Sequence, residues 1–280
     1  MKHIYLNLKR FDISPAHGGV NRLAPTAQWG AGIVRRTQDA LAAYDPEAVE
    51  FVMYLPEAHL LPAAAARRAG SPVQLGAQGC HWADTAVGGN FGAFTSLRTA
   101  NAVAELGGES VLIGHCEERA AKAAILAEAG VTDPAAVNRL LNREIKAAQA
   151  AGLTVLSCIG EKSEEQADYE AVLGAQLDIG LDGVDKSRVV IAYEPIWSIG
   201  PGKTPADRPY IEKIARFVKA HTGGIDVVYG GGLKADNAAM LASIPEIDGG
   251  LIALTRFSGE IGFYPDEYLA IIDTYLNQEA

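Results

Sequence analysis

The amino-acid sequence predicts a closed (β/α)8 barrel. Eight short apolar runs, rich in β-branched residues, recur along the 280-residue chain, as expected for strands buried on both faces of a parallel sheet. Longer segments with helical periodicity separate these runs. Eight strand–helix units in about 250 residues is the usual size of such a barrel. The prediction is therefore a single α/β domain over residues 1–280.

The predicted strands are spaced so that a helix fits between most neighbours. Most of the runs end in Gly, Pro or a polar residue, which is typical where a strand passes into a loop. In chain order the predicted strands cover residues 3–8, 50–56, 73–78, 109–115, 153–160, 189–195, 226–232 and 249–254.

The segments between the strands have the pattern of amphipathic helices. Asp or Ser stands near several of their starts and Gly near several of their ends, as expected for helix caps. The clearest are residues 98–107, 133–152, 207–223 and 265–278. The main structural alternative is an open doubly wound sheet. It is disfavoured because no Gly-x-Gly-x-x-Gly follows the first strand, with no acidic residue ~20 positions later.

Composition narrows the functional classes. The chain carries 24 Lys and Arg against 34 Asp and Glu, a net charge of −10, without a dense basic cluster, so a nucleic-acid partner is not expected. No apolar stretch reaches the ~18 residues of a membrane helix, and the N-terminus has no signal-peptide pattern. Cys80, Cys116 and Cys158 are far apart in the sequence, which predicts neither disulfides nor a zinc site. We therefore expect a cytoplasmic protein that uses no metal or cofactor.

Polar residues and glycines stand where several predicted strands end. Asn7 and Lys9 follow the first strand, His115 the fourth and Glu194 the sixth, and Gly230–Gly232 close the seventh. Singly, each polar residue has an ordinary explanation: a solvated lysine, a structural histidine, a helix-capping glutamate. In a (β/α)8 barrel, however, the carboxyl ends of the strands meet at one mouth, where active sites lie. Their shared position therefore predicts a functional site.

Five motifs resemble, in order and approximate spacing, those of the triosephosphate isomerase family. They are NLK at 7–9, IGHCEER at 113–119, CIGE at 158–161, AYEPIWSIGPGK at 192–203 and YGGG at 229–232. The resemblance extends over nearly the whole chain, and the AYEPIW stretch is highly specific. It implies a TIM barrel and an aldose–ketose isomerase that converts a small sugar phosphate through an enediolate.

The resemblance also implies a role for each residue of the predicted site. Glu194 is the base that moves a proton between adjacent carbons, a task suited to a carboxylate. His115 acts as the electrophile, and Lys9 and Asn7 are further donors to the oxygen that gains charge. A short helical turn directly after His115 is expected to keep the imidazole neutral. Glu117 either pairs with Lys9 or serves only as a first-turn carboxylate of that helix; both interpretations stay open.

The segment behind Glu194 is predicted to be a lid. Pro195–Trp197 has the character of a stiff first hinge, Ser198–Gly200 of a tip, and Gly202–Thr204 of a second hinge. Gly200 is expected to contact the substrate. The alternative is a plain βα loop. The lid is preferred because an enediolate phosphate must be shielded from water.

The predicted phosphate site departs from the family pattern. Backbone N–H groups after the seventh and eighth strands are expected to bind the phosphate, but glycine replaces the family's serine and the second glycine pair is absent. The predicted substrate-binding residues are Gly230, Gly231, Gly232, Ala253, Leu254 and Arg256. Arg256 lies in a segment longer than its family equivalent and is either an anion partner or a surface arginine.

Two other loop regions bear on substrate and assembly. The first βα loop, residues 10–30, is extended and carries His17 and Arg22 to the rim. With the changed phosphate loops, it points to a substrate other than, or larger than, triose phosphate, such as tetrulose 4-phosphate. Triose phosphate bound at an altered anion site is the open alternative. Residues 78–96 keep the GAFT stretch with Thr95, which by resemblance implies a homodimer, although the polar residue expected near Gly79 is missing.

Two other functions are compatible with a barrel of this kind. A non-catalytic sugar-phosphate binder or sensor would keep the fold, but it would need no base such as Glu194. An aldolase commonly needs a Schiff-base lysine deep in the barrel or a metal site. Lys9 beside Asn7, without a cluster of metal ligands, suits neither requirement. Isomerase chemistry is therefore the preferred prediction, and the binder is its main alternative.

Overall fold

Eight parallel strands close into a barrel in the computed structural model, which describes residues 1–200 and 203–277. The strands pair in chain order, and the eighth pairs back to the first. They are β1 (Lys2–Asn7), β2 (Val49–Leu55), β3 (Val73–Ala77), β4 (Ser110–Ile113), β5 (Thr154–Ile159), β6 (Val189–Tyr193), β7 (Val227–Tyr229) and β8 (Gly249–Ile252). The predicted (β/α)8 fold is confirmed, and the open sheet is excluded. That a single domain extends over residues 1–280 stays a prediction.

Helices alternate with the strands around the outside of the barrel. They are α1 (Thr26–Leu41), α2 (Leu60–Ala66), α3 (Ala100–Glu105), α4 (Cys116–Glu128), α5 (Pro134–Ala150), α6 (Tyr169–Gly180), α7 (Arg208–Thr222), α8 (Ala238–Ala242) and α9 (Pro265–Leu276). The four clearest predicted helices are all present. The turn predicted after His115 is a full helix, α4. None of the helices in the described part of the chain is both long and apolar enough to cross a bilayer.

The hydrophobic core has two layers because successive strand residues face opposite sides of the sheet. On β1, Ile4 and Leu6 pack outward against the helices, whereas Tyr5 points into the barrel. Tyr54 and Leu112 join Tyr5 in the inner layer. Burial on both faces explains why the strands read as nearly continuous apolar runs in the sequence.

The strand ends determine where the site lies. β4 ends at Ile113, so that Gly114 and His115 lead directly into α4. β7 is shorter than predicted because the three glycines after Tyr229 leave the sheet, and Gly232 takes a φ of +102°. Such a positive φ favours glycine.

The two extended loops of this chain contact each other at the mouth. In the loop between β1 and α1, Arg22 Nη1 donates to the carbonyl of Ile261, 3.1 Å away. Its Nε lies 3.7 Å from a carboxylate oxygen of Glu260. Ile261 and Glu260 belong to the loop between β8 and α9, which folds back on itself through an antiparallel bridge between Arg256 and Gly262. The two loops thus form one wall beside β1 and β8.

Candidate active site

Glu194 lies directly after β6 and is almost completely buried. Its Oε1 lies 3.2 Å from His115 Nε2, and its Oε2 accepts a hydrogen bond of 2.9 Å from the backbone N–H of Cys116. Burial raises the pKa of Glu194 to about 8, although the Cys116 N–H opposes the shift. The carboxyl group therefore changes charge near neutral pH, where a general base is most effective.

His115 caps the N-terminus of α4. Its Nδ1 accepts a hydrogen bond of 3.2 Å from the backbone N–H of Glu117, so that in the neutral ring the proton is on Nε2 and faces Glu194. Burial, followed by the charge of Lys9, lowers the pKa of His115 to about 4. The imidazole is therefore neutral at pH 7 and can donate a hydrogen bond from Nε2.

Lys9 and Asn7 form a tight turn at the end of β1. Lys9 is the one non-glycine residue in the described part of the chain with a positive φ, +41°. Its backbone N–H donates to Asn7 Oδ1 at 3.0 Å. Gln78 fixes this turn from the end of β3, since its Nε2 lies 3.0 Å from the carbonyl oxygen of Lys9 and 3.3 Å from Asn7 Oδ1. The sequence analysis missed Gln78, although it too is polar and follows a strand.

Glu117 lies in the first turn of α4 with its carboxylate largely in solvent. The ammonium of Lys9 is 3.1 Å from its Oε1. Partial burial works against ionisation, but Lys9 outweighs it and lowers the pKa of Glu117. Both interpretations of Glu117, partner of Lys9 and first-turn carboxylate, are compatible with this geometry.

A cavity of about 510 Å³ opens beside these residues. Asn7, Lys9, His115, Glu117 and Gln78 line one side of it. The extended first loop supplies the other side, through residues that include Arg10, Phe11, Ile13 and His17. His17 therefore reaches the rim as expected, whereas Arg22 is turned towards the loop after β8.

The glycines after β7 pack behind the buried carboxyl group. A Cβ atom on Gly230 would lie 2.8 Å from Glu194 Cγ, and one on Gly231 would lie 2.4 Å from the hydroxyl of Tyr229. Any side chain at either position would therefore displace neighbouring atoms. Neither glycine is among the described residues that line the cavity.

The backbone around the predicted phosphate site has donors to offer. Among the described residues of this predicted site, four have a backbone N–H group that donates no hydrogen bond: Gly231, Gly232, Ala253 and Leu254. Ala253 and Leu254 both have negative φ, so their replacement of glycine creates no left-handed strain. They can present N–H groups as glycines would.

Neither Arg256 nor Gly200 is among the described residues that line the cavity. The guanidinium of Arg256 pairs with Glu267 of α9 and lies 3.9 Å above the ring of Tyr264. It is therefore already neutralised, and the geometry does not favour the expectation that it binds an anion. Gly200 is exposed, with a φ of +113°.

The start of the predicted lid is anchored by Glu161. Residues Ile196–Ser198 form a 3-10 helix, and the indole Nε1 of Trp197 donates to Glu161 Oε1 at 2.8 Å. The hydroxyl groups of Tyr193 and Tyr210 donate to the same oxygen, at 2.8 and 3.1 Å. Of the predicted second hinge, Gly202 lies outside the described residues, so the lid itself stays a prediction.

One group of residues in the described chain is close enough to hold a metal ion. Ligand atoms of His115, Cys116 and Glu194 lie within 4.8 Å of one another. Both nitrogens of His115 already face protein partners, the Glu117 N–H and the Glu194 carboxyl group. The site is therefore better arranged for proton transfer. All three cysteines are free thiols.

The barrel holds a buried carboxyl group against a neutral imidazole, with a lysine at the same mouth. This is the architecture of an acid–base enzyme. The family profile described as triosephosphate isomerase matches residues 26–272. A curated triosephosphate isomerase from Synechococcus sp. (strain JA-2-3B'a(2-13)) is 36% identical over 208 residues, covering 73% of each chain. One from Xanthobacter autotrophicus is 37% identical over 227 residues, covering 76% of this chain and 82% of the relative. The chain belongs to the triosephosphate isomerase family.

A solved structure extends the likeness to the whole barrel. The crystal structure of triosephosphate isomerase from Bartonella henselae superposes with a TM-score of 0.71, covers 98% of both chains and is 24% identical. At that identity it supports the fold alone. With the family relationship, the predicted enzyme class is confirmed: the protein is an intramolecular oxidoreductase that interconverts an aldose and a ketose.

Proposed function

We propose that the protein isomerises a small sugar phosphate, either triose phosphate or a related compound such as tetrulose 4-phosphate, with Glu194 as the base. The relatives named triosephosphate isomerase support the coarser part of this proposal. The observation that carries the finer part is the 3.2 Å contact between the Glu194 carboxyl group and His115 Nε2. A base and a neutral electrophile with converging groups are what enediolate chemistry requires.

In the proposed reaction the ionised Glu194 removes a proton from the carbon next to the substrate carbonyl. The electrons of the broken C–H bond form the C=C bond of the enediolate, and the carbonyl oxygen becomes negative. His115 Nε2–H and the Lys9 ammonium donate hydrogen bonds to that oxygen. The hydroxyl on the first carbon then gives up its proton and becomes the new carbonyl, while the former carbonyl oxygen gains a proton and becomes a hydroxyl. Glu194 returns its proton to the neighbouring carbon. The first carbon is oxidised and its neighbour reduced, with no net change and no external oxidant or reductant.

The phosphate would be bound by backbone N–H groups at the ends of β7 and β8. Gly231, Gly232, Ala253 and Leu254 supply the unengaged donors, and N–H groups that converge bind anions well. Closure of the lid behind Glu194 would exclude water and prevent elimination of phosphate. The resemblance supports the lid, and the anchor of Trp197 on Glu161 is consistent with a hinge.

The cavity bears on the size of the substrate. It reaches from His115 to the extended first loop, and Glu194 itself is not among the described residues that line it. The reach to that loop supports a substrate larger than a triose phosphate, for which tetrulose 4-phosphate is one example. A non-catalytic binder is disfavoured because it gains nothing from a buried carboxyl group whose pKa is about 8.

We further propose that the protein is a homodimer. Val87, Phe91 and Leu97 of the long loop after β3 are exposed, and clustered apolar side chains in one loop are typical of a protein interface. Light scattering of the parent and a Phe91→Glu variant tests this, since a monomeric parent would contradict it. The cytoplasmic location expected from the isolated cysteines stays a prediction.

The decisive experiment is proton exchange followed by NMR in D2O. The purified protein is offered glyceraldehyde 3-phosphate, dihydroxyacetone phosphate, and the tetrose and tetrulose 4-phosphates. Glu194→Gln is the test variant, and Glu105→Gln, which changes an exposed carboxylate on α3, is the matched control. We expect deuterium next to the carbonyl of one substrate with the parent and the control but not with Glu194→Gln. Equal exchange by all three proteins would overturn the role of Glu194.

A further inference from the structure

The turn after β7 uses three of its five backbone N–H groups, from residues 230 to 234, in hydrogen bonds within the protein. The N–H of Gly230 donates to the Tyr193 carbonyl at 2.7 Å, and the N–H of Leu233 donates to Leu251 at 2.9 Å. The N–H of Lys234 donates to the side chain of Asn237. Of the five consecutive N–H groups from 230 to 234, those at positions 231 and 232 remain for a ligand within the described chain.

Asn237 holds this turn in one conformation. Its Oδ1 accepts from the Lys234 N–H at 2.8 Å, and its Nδ2 donates to the Gly232 carbonyl at 2.9 Å. Both ends of the turn are therefore fixed by one side chain. A ligand would meet a preorganised surface instead of having to order it, which favours binding.

Lys234 directs its side chain back across the turn. Its Cε lies 3.2 Å from the position that a Cβ atom on Gly232 would occupy. Its ammonium is 4.6 Å from the ring centroid of Phe257 in the loop after β8. Among the described residues, no carboxylate lies within salt-bridge distance of this ammonium. Lys234 is thus a half-buried cation without an anionic partner at the mouth of the barrel.

Other basic groups near the site differ from Lys234 in this respect. Lys9 pairs with Glu117, Arg10 with Asp12, and Arg256 with Glu267. Each of these cations is partly neutralised within the protein. The glycine turn, which begins against Glu194 at Gly230, therefore leads to a cation whose charge is still available to a ligand.

We propose that Lys234 is the specificity-determining residue that binds the phosphate of the substrate, together with the N–H groups of Gly231 and Gly232. The missing side chain at Gly232 makes room for the lysine stem, and Phe257 of the extended loop positions the ammonium. A dianionic phosphate monoester supplies the charge that Lys234 lacks. This inference rests on the proposed isomerase function, since it names the group that holds that enzyme's substrate.

The experiment compares Lys234→Met with Lys146→Met in the full-length protein. Lys146, on α5, faces Asp182 at 3.8 Å, so that its replacement removes the same charge far from the mouth. We measure KM and kcat for the preferred sugar phosphate, and the dissociation constant of inorganic phosphate by calorimetry. Loss of one hydrogen bond to a charged group should weaken phosphate binding, and raise KM, about ten- to a hundredfold in Lys234→Met. Lys146→Met should match the parent, and Lys234→Arg should recover most of the affinity.

Two outcomes would overturn the proposal. One is phosphate binding and KM in Lys234→Met equal to those of the control, in a variant whose circular dichroism matches the parent. The other is equal loss in Lys234→Met and Lys234→Arg, which would indicate a packing role for the stem. Failure of the proposed isomerase function is distinguishable from failure of the Lys234 proposal. In the first case the parent protein isomerises no sugar phosphate. Calorimetry still reports in that case whether Lys234 binds the phosphate ion.

Discussion

Two histidine–carboxylate pairs lie at opposite ends of this barrel, and only one of them is ionised. At the mouth, His115 Nε2 lies 3.2 Å from Glu194; at the other end, His3 Nδ1 lies 2.8 Å from Glu50. Burial lowers the pKa of His115 to about 4 and raises that of Glu194 to about 8. The pKa of His3 is raised and that of Glu50 is lowered. The first pair is neutral and the second is ionic.

The number of opposite charges and donors accounts for the difference. Burial works against charge in both pairs. His3 overcomes it because its second nitrogen lies 2.9 Å from Asp226, which adds a second carboxylate. Glu50 also accepts a hydrogen bond of 2.9 Å from the hydroxyl of Tyr5. Glu194 has one backbone donor, and the cations Lys9 and Arg119 favour its ionised form without lying within salt-bridge distance of it. Lys9 also opposes protonation of His115, so that burial prevails at this pair.

One pair of residue types can therefore serve stability or chemistry, depending on its surroundings. An ionic pair that is well solvated by protein groups holds β1, β2 and the start of β7 together. A neutral pair keeps a carboxyl group close to its pKa, which suits the proposed proton transfer. Three predictions test this contrast and a fourth tests the lid beside it, in order of decreasing effect.

Replacement of the proposed base, Glu194, should produce the largest effect. We expect Glu194→Gln to lower kcat/KM about a thousandfold or more, since it removes the group that transfers the proton in the proposed reaction. Its stability should equal or exceed that of the parent. The raised pKa of Glu194 means that ionising it opposes folding as pH rises from 4.5 towards 8. Activity assays and thermal melts at pH 5 and pH 8 check both; a large loss of stability at pH 8 would contradict the assignment of a neutral pair.

At the other end, His3→Gln should affect stability and leave activity intact. Removing one partner of a buried ionic cluster is expected to lower the free energy of unfolding by about 3 kcal/mol, roughly a hundredfold in the equilibrium constant. The raised pKa of His3 stabilises the fold below 6.5, and the lowered pKa of Glu50 does so above 4.5. The loss should therefore be largest between these values and shrink as pH rises above 6.5 through the raised pKa of His3. Urea unfolding across that range measures it, and a loss independent of pH would disprove the ionic pair.

The pH dependence of the parent should reveal the state of Glu194. In the proposed reaction the free enzyme is active when Glu194 is ionised, so kcat/KM should rise with pH through its pKa of about 8. Between pH 6 and pH 8 the ionised fraction increases about fiftyfold. Rates are corrected for the second ionisation of the substrate phosphate, near pH 6. A profile that is flat above pH 6, from protein that stays folded, would show that Glu194 ionises normally.

The smallest effect is expected at the lid anchor. Trp197→Phe keeps an aromatic ring beside Tyr210 but loses the hydrogen bond to Glu161. Because Glu161 retains two tyrosine donors, we expect kcat/KM to fall only about fivefold, through a less well held hinge. Tyr44→Phe, at an aromatic residue packed on Phe51 at the opposite end of the barrel, is the control. Equal activities for the two variants would remove Trp197 from the proposed lid mechanism.

Local patterns in the sequence were sufficient to predict the barrel and the rim. Strand and helix periodicity depend on neighbouring residues, and in a closed parallel barrel every strand end lies at the same mouth. Asn7, Lys9, His115 and Glu194 could therefore be grouped from their positions after strands. Their motifs then indicated the family, which the comparisons confirmed.

Long-range packing decided the rest. The partner of Arg256 is Glu267, the anchor of Trp197 is Glu161, and the group that clamps Lys9 is Gln78. The charge states of the two histidine pairs likewise depend on residues far away in the sequence. A hydrogen bond or a pKa depends on distances and burial among side chains far apart in the chain, and no local periodicity carries that information. Local sequence patterns locate the candidate site, whereas tertiary packing sets which of its groups are charged, paired or available to a ligand.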